Sequence, residues 1–91
     1  MNIKRYGVEK IHRAQYYKIF LETRNTHYAF LDVIQNEVNA EELRNLFENR
    51  KLYFPTISIG DKKLRNPSDK ELQKLVDTVK LKLIIDIMQY N

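Results

Sequence analysis

Side chains that could carry out covalent chemistry are scarce in this sequence, whose 91 residues include two histidines and no cysteine. Without a cysteine the chain has no thiolate nucleophile, no disulfide and no thiolate metal ligand. Neither His12 nor His27 has a serine or carboxylate placed as in a catalytic triad, and two histidines alone are too few ligands for zinc. The residue types therefore predict neither a catalytic centre nor a metal site.

The charge balance is weakly basic, with 16 Lys and Arg residues, 12 Asp and Glu residues and a net charge of +4. The basic residues form only small clusters: Lys4-Arg5, Arg50-Lys51 and Lys62-Lys63. We interpret these as solvated faces, because a nucleic-acid surface needs a basic stripe interleaved with stacking aromatics. No apolar run approaches the roughly 20 residues of a spanning helix, and no signal-peptide pattern follows Met1. We expect a cytoplasmic protein that binds neither membrane nor nucleic acid.

The first part of the chain has the pattern strand, helix, strand. Residues 2–6 are predicted as a short strand. Helical spacing begins near Ile11 and produces one apolar stripe: Ala14, Tyr17 and Leu21. Residues 27–34 are the most strand-like run and are apolar on both faces except at Asp32. That pattern is typical of a parallel strand that is covered on both sides.

The middle of the chain is predicted to contain a helix and a hairpin. Asn39 followed by Glu42 is a capping-box pattern, which indicates the start of a helix. The buried face of this helix is predicted to contain Ala40, Leu43, Leu46 and Phe47. Thr56–Ile59 and Lys62–Arg65 are predicted as antiparallel strands, because Gly60-Asp61 between them favours a tight turn.

The last helix is predicted to start at a second capping box, formed by Ser68 and Glu71. Its core stripe is regular: Leu72, Val76, Val79, Leu83 and Ile87. Further apolar residues widen the stripe near the C-terminus: Leu81, Ile84, Ile85 and Met88. Either this end folds back over the sheet of its own chain, or it forms a dimer or partner interface.

Several short motifs occur in a characteristic order: Tyr6-Gly7 with Phe20-Leu21, His27-Tyr28 with Asp32-Val33, Phe54-Pro55-Thr56-Ile57, and Ile59-Gly60-Asp61-Lys62 with Pro67-Ser68-Asp69. Over roughly residues 3–79 they resemble the glutaredoxin family. The resemblance implies a thioredoxin-like α/β sandwich, βαβ-α-ββ-α, with a four-stranded mixed sheet and helices on both faces. The length suits a single domain over residues 1–91, in which 80–91 form a C-terminal helical extension.

The resemblance also implies where a ligand would bind. It implies a cis Phe54-Pro55 bond, with the backbone of Phe54 and the adjacent Thr56 lining a groove. In the family, residues at the positions of Ser68 and Asp69 bind the glutamyl end of glutathione at the start of the last helix. A basic residue before the proline turn binds the glycine carboxylate, and the candidates for that role here are Arg50-Lys51.

The two cysteine positions of the family's C-x-x-C fall on Ile11 and Ala14. Neither side chain can form a mixed disulfide, so thiol–disulfide exchange is not expected. Tyr6 lies close to the position of the thiol-activating hydroxyl of glutathione transferases, although a packing role suits it better. These residues lead us to expect a protein that is not an enzyme.

Three functions remain as hypotheses. The first is non-covalent binding of a peptide or protein partner, without a cofactor, in the former active-site groove, which is bounded by Ile11–Ala14, Phe54-Pro55-Thr56 and Ser68-Asp69. The second is non-covalent glutathione binding with a vestigial or regulatory role. The third is an interaction protein that dimerises through the C-terminal helix, using Leu81, Ile84, Ile85 and Met88.

Overall fold

A computed structural model describes residues 2–89 of the chain. The elements follow the predicted order: β1 (Ile3–Gly7), α1 (His12–Thr23), β2 (Ala29–Asp32), α2 (Glu37–Arg44), β3 (Thr56–Ile59), β4 (Lys62–Arg65) and α3 (Asp69–Met88). The strands form one sheet in the order β2-β1-β3-β4. Strand β1 pairs in parallel with β2 and antiparallel with β3, and β3 pairs antiparallel with β4. The predicted four-stranded mixed sheet is confirmed.

The helices cover both faces of the sheet, as predicted. Helices α1 and α3 share one core cluster with residues of β1 and β3: Ile3, Tyr17, Phe20, Leu21, Ile57, Ile59, Leu72, Leu75 and Val76. Helix α2 packs on the opposite face, where a smaller cluster is formed by Tyr6, Val33, Ala40 and Leu43. Successive residues of β1 therefore alternate between two cores, as the pleat of a strand requires.

Local signals account for the best-predicted boundaries. Gly60 has φ 55°, and it starts the turn between β3 and β4. The Ser68 hydroxyl accepts a hydrogen bond from the Glu71 amide (3.2 Å), and the Ser68 amide donates to the Glu71 carboxylate (3.0 Å). This complete capping box begins α3 where the sequence predicts it.

Strand β2 is shorter and less covered than predicted. It spans only Ala29–Asp32, lies at the edge of the sheet, and has one exposed and three half-buried residues. The carboxylate of Asp32 accepts hydrogen bonds from the amides of Ile34 and Gln35, and these bonds turn the chain away from the sheet. The prediction of a strand over residues 27–34 that is covered on both sides is wrong.

Helix α2 also starts one turn earlier than predicted. Its N-cap is Asn36, whose side chain accepts from the Asn39 amide at 3.1 Å. Asn39 lies inside the helix, and its side-chain amide donates to the Asp32 carbonyl. The predicted capping role of Asn39 is therefore wrong, although Ala40 and Leu43 are buried as expected.

Helix α3 extends beyond the sheet. Its 20 residues span about 30 Å, whereas strands of four or five residues span roughly 13–17 Å. The prediction that Leu83 and Ile87 continue the core stripe is wrong, since these side chains are 57% and 68% exposed. The helix runs without interruption to Met88, so it does not fold back over the sheet. No helix within residues 2–89 is long and apolar enough to span a membrane.

Candidate functional site

The loop before α1 is attached to the sheet by a buried arginine. Arg5, in β1, is 1% exposed, and its guanidinium donates to the Glu9 carboxylate (2.7 Å) and to the Ala14 carbonyl (3.3 Å). The guanidinium lies over the Phe30 ring, 4.3 Å from its centroid. Within residues 2–89 its Nε atom has no hydrogen-bond partner. These contacts hold the start of α1 against the end of β1.

The interpretation of Lys4-Arg5 as a solvated cluster is wrong for Arg5. The two residues point to opposite faces of the sheet because they are consecutive in a strand. Lys4 pairs with Glu42 of α2 at 2.9 Å and remains partly exposed, whereas Arg5 is enclosed under α1. The sequence contained one indication that Arg5 is buried, because Arg5 lies on the same face of the strand as Ile3 and Gly7.

Residues 11–14, which the family resemblance aligns with the C-x-x-C, lie at the start of α1. Ile11 is the N-cap residue and is 40% exposed, and its side chain makes no capping hydrogen bond. Ala14 is buried under the helix, so only Ile11, His12 and Arg13 of the four are accessible. The exposed end of the helix is therefore apolar at its first position and basic at its third.

A cavity of about 720 Å³ adjoins the proline loop. The Phe54-Pro55 peptide bond is cis, and the Pro55 carbonyl accepts from the Asn66 amide at 2.8 Å. We call this space the proline cavity; its lining is Leu52, Tyr53, Phe54, Pro55, Arg65 and Asn66. Four of the six lining residues have apolar or aromatic side chains, and Arg65 provides the charge.

A second cavity, of about 670 Å³, lies at the start of α1. We call it the helix cavity; its lining is Ile11, His12, Arg13, Tyr16 and Asp69. The Tyr16 hydroxyl donates to the Asp69 carboxylate, which raises the pKa of Tyr16. A hydrogen bond links the two linings: Arg13, which lines the helix cavity, donates to the side-chain oxygen of Asn66, which lines the proline cavity (2.6 Å). We refer to these two neighbouring cavities together as the groove.

The base of this groove is fastened between α1 and the loop before α3. The buried Tyr17 hydroxyl donates to the Pro67 carbonyl at 2.7 Å, and burial raises the pKa of Tyr17. Arg13 donates to the same carbonyl at 3.3 Å. These bonds fix the loop after β4, from which Asn66 reaches the proline cavity.

The structure brings only part of the predicted ligand set together. Phe54 and Pro55 line the proline cavity, and Asp69 lines the helix cavity beside Ile11. Thr56 is fully buried, and its hydroxyl donates to the Tyr53 carbonyl. Ser68 is occupied by the capping box described above.

Arg50 and Lys51 do not line either cavity of the groove. Arg50 has φ 55° and donates to Glu41 and Asn45 near the end of α2, and this pairing lowers the pKa of Glu41. Lys51 is exposed, and its amide donates to the Asn49 side chain. Their role as carboxylate ligands stays a prediction.

Sequence reasoning missed Tyr16, Arg65 and Asn66 as groove residues. They reach the groove through tertiary contacts that no local pattern reports: Tyr16 with Asp69, Asn66 with Arg13, and Arg65 with the Tyr53 ring. Arg13 lies within the predicted boundary Ile11–Ala14 and does line the helix cavity.

The sheet order and the placement of the helices define a thioredoxin-like fold. The chain is similar to the thioredoxin-like protein BC3987, whose crystal structure gives a TM-score of 0.66 at 23% identity and covers 80% of this chain and 97% of that chain. A mutant of BC3987 gives a TM-score of 0.67 at 23% identity and covers 81% of this chain and 97% of that chain. The glutaredoxin from Archaeoglobus fulgidus gives a TM-score of 0.67 at 14% identity and covers 81% of this chain and 84% of that chain.

At these identities the likeness concerns the fold, and the predicted resemblance to glutaredoxins is confirmed at that level. No family model and no curated protein sequence matches the chain. Since the sequence contains no cysteine, the groove has no thiolate to attack a disulfide. Within residues 2–89, no group of three or more His, Asp or Glu side chains could hold a metal ion.

Proposed function

We propose that this protein is a non-covalent binding module that holds a peptide segment of a partner protein in the groove. The observation that carries the proposal is that the Arg13–Asn66 hydrogen bond links the linings of two neighbouring cavities. Each cavity lies within the roughly 300–1,000 Å³ typical of ligand sites, at about 720 and 670 Å³.

The chemistry of the lining supports a peptide as the ligand. Phe54 and Ile11 offer apolar surface, and within residues 2–89 the backbone amide and carbonyl of Phe54 make no hydrogen bond. An extended peptide can pair with such backbone groups while its side chains enter the flanking cavities. With Ile11 in place of a sulfur, the contact is apolar and reversible.

Selection from a library of short random peptides tests this proposal. We expect enriched peptides to bind the wild-type protein and to shift the amide NMR signals of Ile11, Tyr16 and Phe54. The variant Ile11→Trp fills the helix cavity and should abolish this binding. Ile19→Trp is the matched control, because Ile19 is 59% exposed on the same helix and lines neither cavity. Failure of every enriched peptide to shift groove signals would refute the proposal.

Glutathione as a ligand of the same groove has weaker support. Asp69 already accepts from Tyr16, and Ser68 already caps α3 through Glu71. Titration with reduced glutathione, followed by amide NMR shifts, separates the two ligands. Saturable shifts at Phe54, Thr56, Ser68 and Asp69 would favour glutathione, and their absence at millimolar concentration would exclude it.

Dimerisation through the end of α3 is a second candidate function, favoured by exposed apolar side chains between residues 81 and 88. They are Leu81, Leu83, Ile84, Ile85, Ile87 and Met88, each between 39% and 69% exposed. Four of them share one face of the helix: Leu81, Ile84, Ile85 and Met88. At roughly 100 Å² each they offer about 400 Å² per protomer, half of the roughly 800 Å² per partner of a standard interface.

The charges on this helix end suit a second copy. Lys82 and Asp86 pair within the helix at 3.1 Å. Because these opposite charges neutralise each other, neither repels the same helix of a second copy.

Analytical ultracentrifugation over a wide concentration range tests the dimer. We expect a concentration-dependent mass that Ile84→Asp abolishes and Val38→Asp preserves, because Val38 is 78% exposed on α2. A monomeric mass for the wild-type protein at every concentration would reject this candidate.

A further inference from the structure

Two arginines at the groove have no acidic partner. Arg13 donates to neutral oxygens of Asn66, Tyr17 and Pro67, at 2.6, 3.1 and 3.3 Å. Arg65 makes no side-chain hydrogen bond or ion pair within residues 2–89, and its guanidinium lies 3.5 Å from the centroid of the Tyr53 ring. Both charges are therefore available to a ligand.

Other arginines of the protein are used internally. Arg5, Arg44 and Arg50 each pair with a glutamate. Arg24 lies over the Phe20 ring and donates to Gln73, and it lines neither cavity of the groove. Arg13 and Arg65 therefore differ from these arginines, because each lines a cavity of the groove and neither pairs with a carboxylate within residues 2–89.

The carboxylates nearest to the groove do not neutralise these two arginines. Asp69 lines the helix cavity but accepts from the Tyr16 hydroxyl. Glu48 lines an adjoining cavity together with Arg65, and the two form no ion pair. The groove carries more positive than negative charge, in keeping with the net charge of +4.

We infer that the groove recognises a peptide in which an acidic side chain lies next to an apolar one, and that Arg65 binds the acidic group. This inference rests on the proposed function and specifies its ligand. The peptide carboxylate pairs with the Arg65 guanidinium, and the neighbouring apolar side chain packs against Phe54 and Pro55 in the proline cavity.

The position of Arg65 makes it a suitable anion contact. Stacking on Tyr53 orients its planar guanidinium before the ligand arrives, so less side-chain entropy is lost on binding. A guanidinium forms two parallel hydrogen bonds with a carboxylate, and such charge-assisted bonds are stronger than neutral ones. The excess positive charge also attracts acidic segments during encounter.

The experiment uses the peptides enriched in the selection described above. We expect them to contain Asp or Glu beside an aromatic or aliphatic residue. Synthetic versions of the best peptide, with its acidic residue present or replaced by the amide, are titrated into the wild-type protein and Arg65→Gln. The loss of either charge should weaken binding about tenfold or more, and the loss of both should cost little beyond either single change.

Lys62→Gln is the matched control, because Lys62 is an exposed cation on the same strand and lines neither cavity of the groove. It should change affinity by less than about twofold, as expected for a rim charge. Since the peptide-side change leaves the protein unaltered, misfolding of a variant cannot imitate the result.

The outcomes separate this inference from the proposed function. Peptides that bind in the groove but carry no acidic residue, or whose affinity is unaffected by Arg65→Gln, would overturn the inference and leave the proposed function intact. If no peptide binds in the groove, both are overturned.

Discussion

The first half of α3, residues 69–79, packs against the sheet, whereas the second half, residues 80–88, contacts little of the protein. Leu72 and Val76 are fully buried, but Leu83, two turns further along, is 57% exposed. Both halves contain regularly spaced aliphatic residues separated by charges. Their different environments come from the sheet, whose short strands end before the helix does.

This difference shows what can be inferred from an apolar stripe on a helix. The stripe predicts that this face of the helix is buried, but it does not predict which molecule buries it. In residues 69–79 the cover is the chain's own sheet. For residues 80–88 the described part of the chain, residues 2–89, provides no cover, and we have proposed a second copy.

The largest expected difference between the halves comes from truncating the same residue type in each. Leu72→Ala should lower the free energy of unfolding by about 2–5 kcal/mol, because it leaves a cavity in the core. Leu83→Ala should change it by no more than about 0.5 kcal/mol, since its side chain is already in solvent. Urea unfolding at low protein concentration measures both, and equal losses would contradict the comparison.

Removal of the Ser68 hydroxyl tests how much the capping box stabilises the start of α3. Ser68→Ala should cost about 1 kcal/mol, because the Glu71 amide loses its acceptor. Thr78→Ala, on the exposed middle of the helix, is the control and should cost less than half as much. The same unfolding experiment applies, and an unchanged stability for Ser68→Ala would mean that water replaces the cap.

The same cap predicts a pH dependence. Hydrogen bonds from Ser68 hold the pKa of Glu71 below its ordinary value of 4.5. A lowered folded-state pKa gives stability that is present above the unfolded-state pKa and lost as the pH falls through the folded-state one. The free energy of unfolding of Glu71→Gln should therefore fall less than that of the wild-type protein as the pH decreases below 4.5. Parallel pH profiles for the two proteins would rule out this contribution.

Deletion of residues 80–91 should have only a small effect on stability. Within the described part of that segment, residues 80–89, every residue is exposed, so its loss should change the free energy of unfolding by less than about 1 kcal/mol. Circular dichroism and urea unfolding of the shortened protein measure this. A large loss would mean that the helix end stabilises the monomer.

How well the sequence predicts a feature depends on how far apart the interacting residues are along the chain. The Gly60 turn and the Ser68–Glu71 box are short-range features, and both occur where predicted. The order of elements and the mixed sheet follow from periodicity combined with the family resemblance. The start of α2 was missed because Asn36 and Asn39 are both good capping residues, and only tertiary packing selects between them.

The groove was harder to predict because its polar residues meet across distant parts of the chain. Arg13 and Asn66 are 53 positions apart, as are Tyr16 and Asp69. Arg5 illustrates the same limit, since its burial depends on Phe30 and Glu9 enclosing a charge that composition places at the surface. Propensity and periodicity contain no information about such pairs.

The uncapped N-terminus of α1 makes Ile11 a place to install a reporter. No side chain caps the helix there, and Ile11 is accessible. A cysteine introduced by Ile11→Cys would be unique in the chain, and the helix dipole should lower its pKa below the usual value of about 8.5. Its alkylation rate would then measure the electric field at the mouth of the groove, without interference from any other thiol.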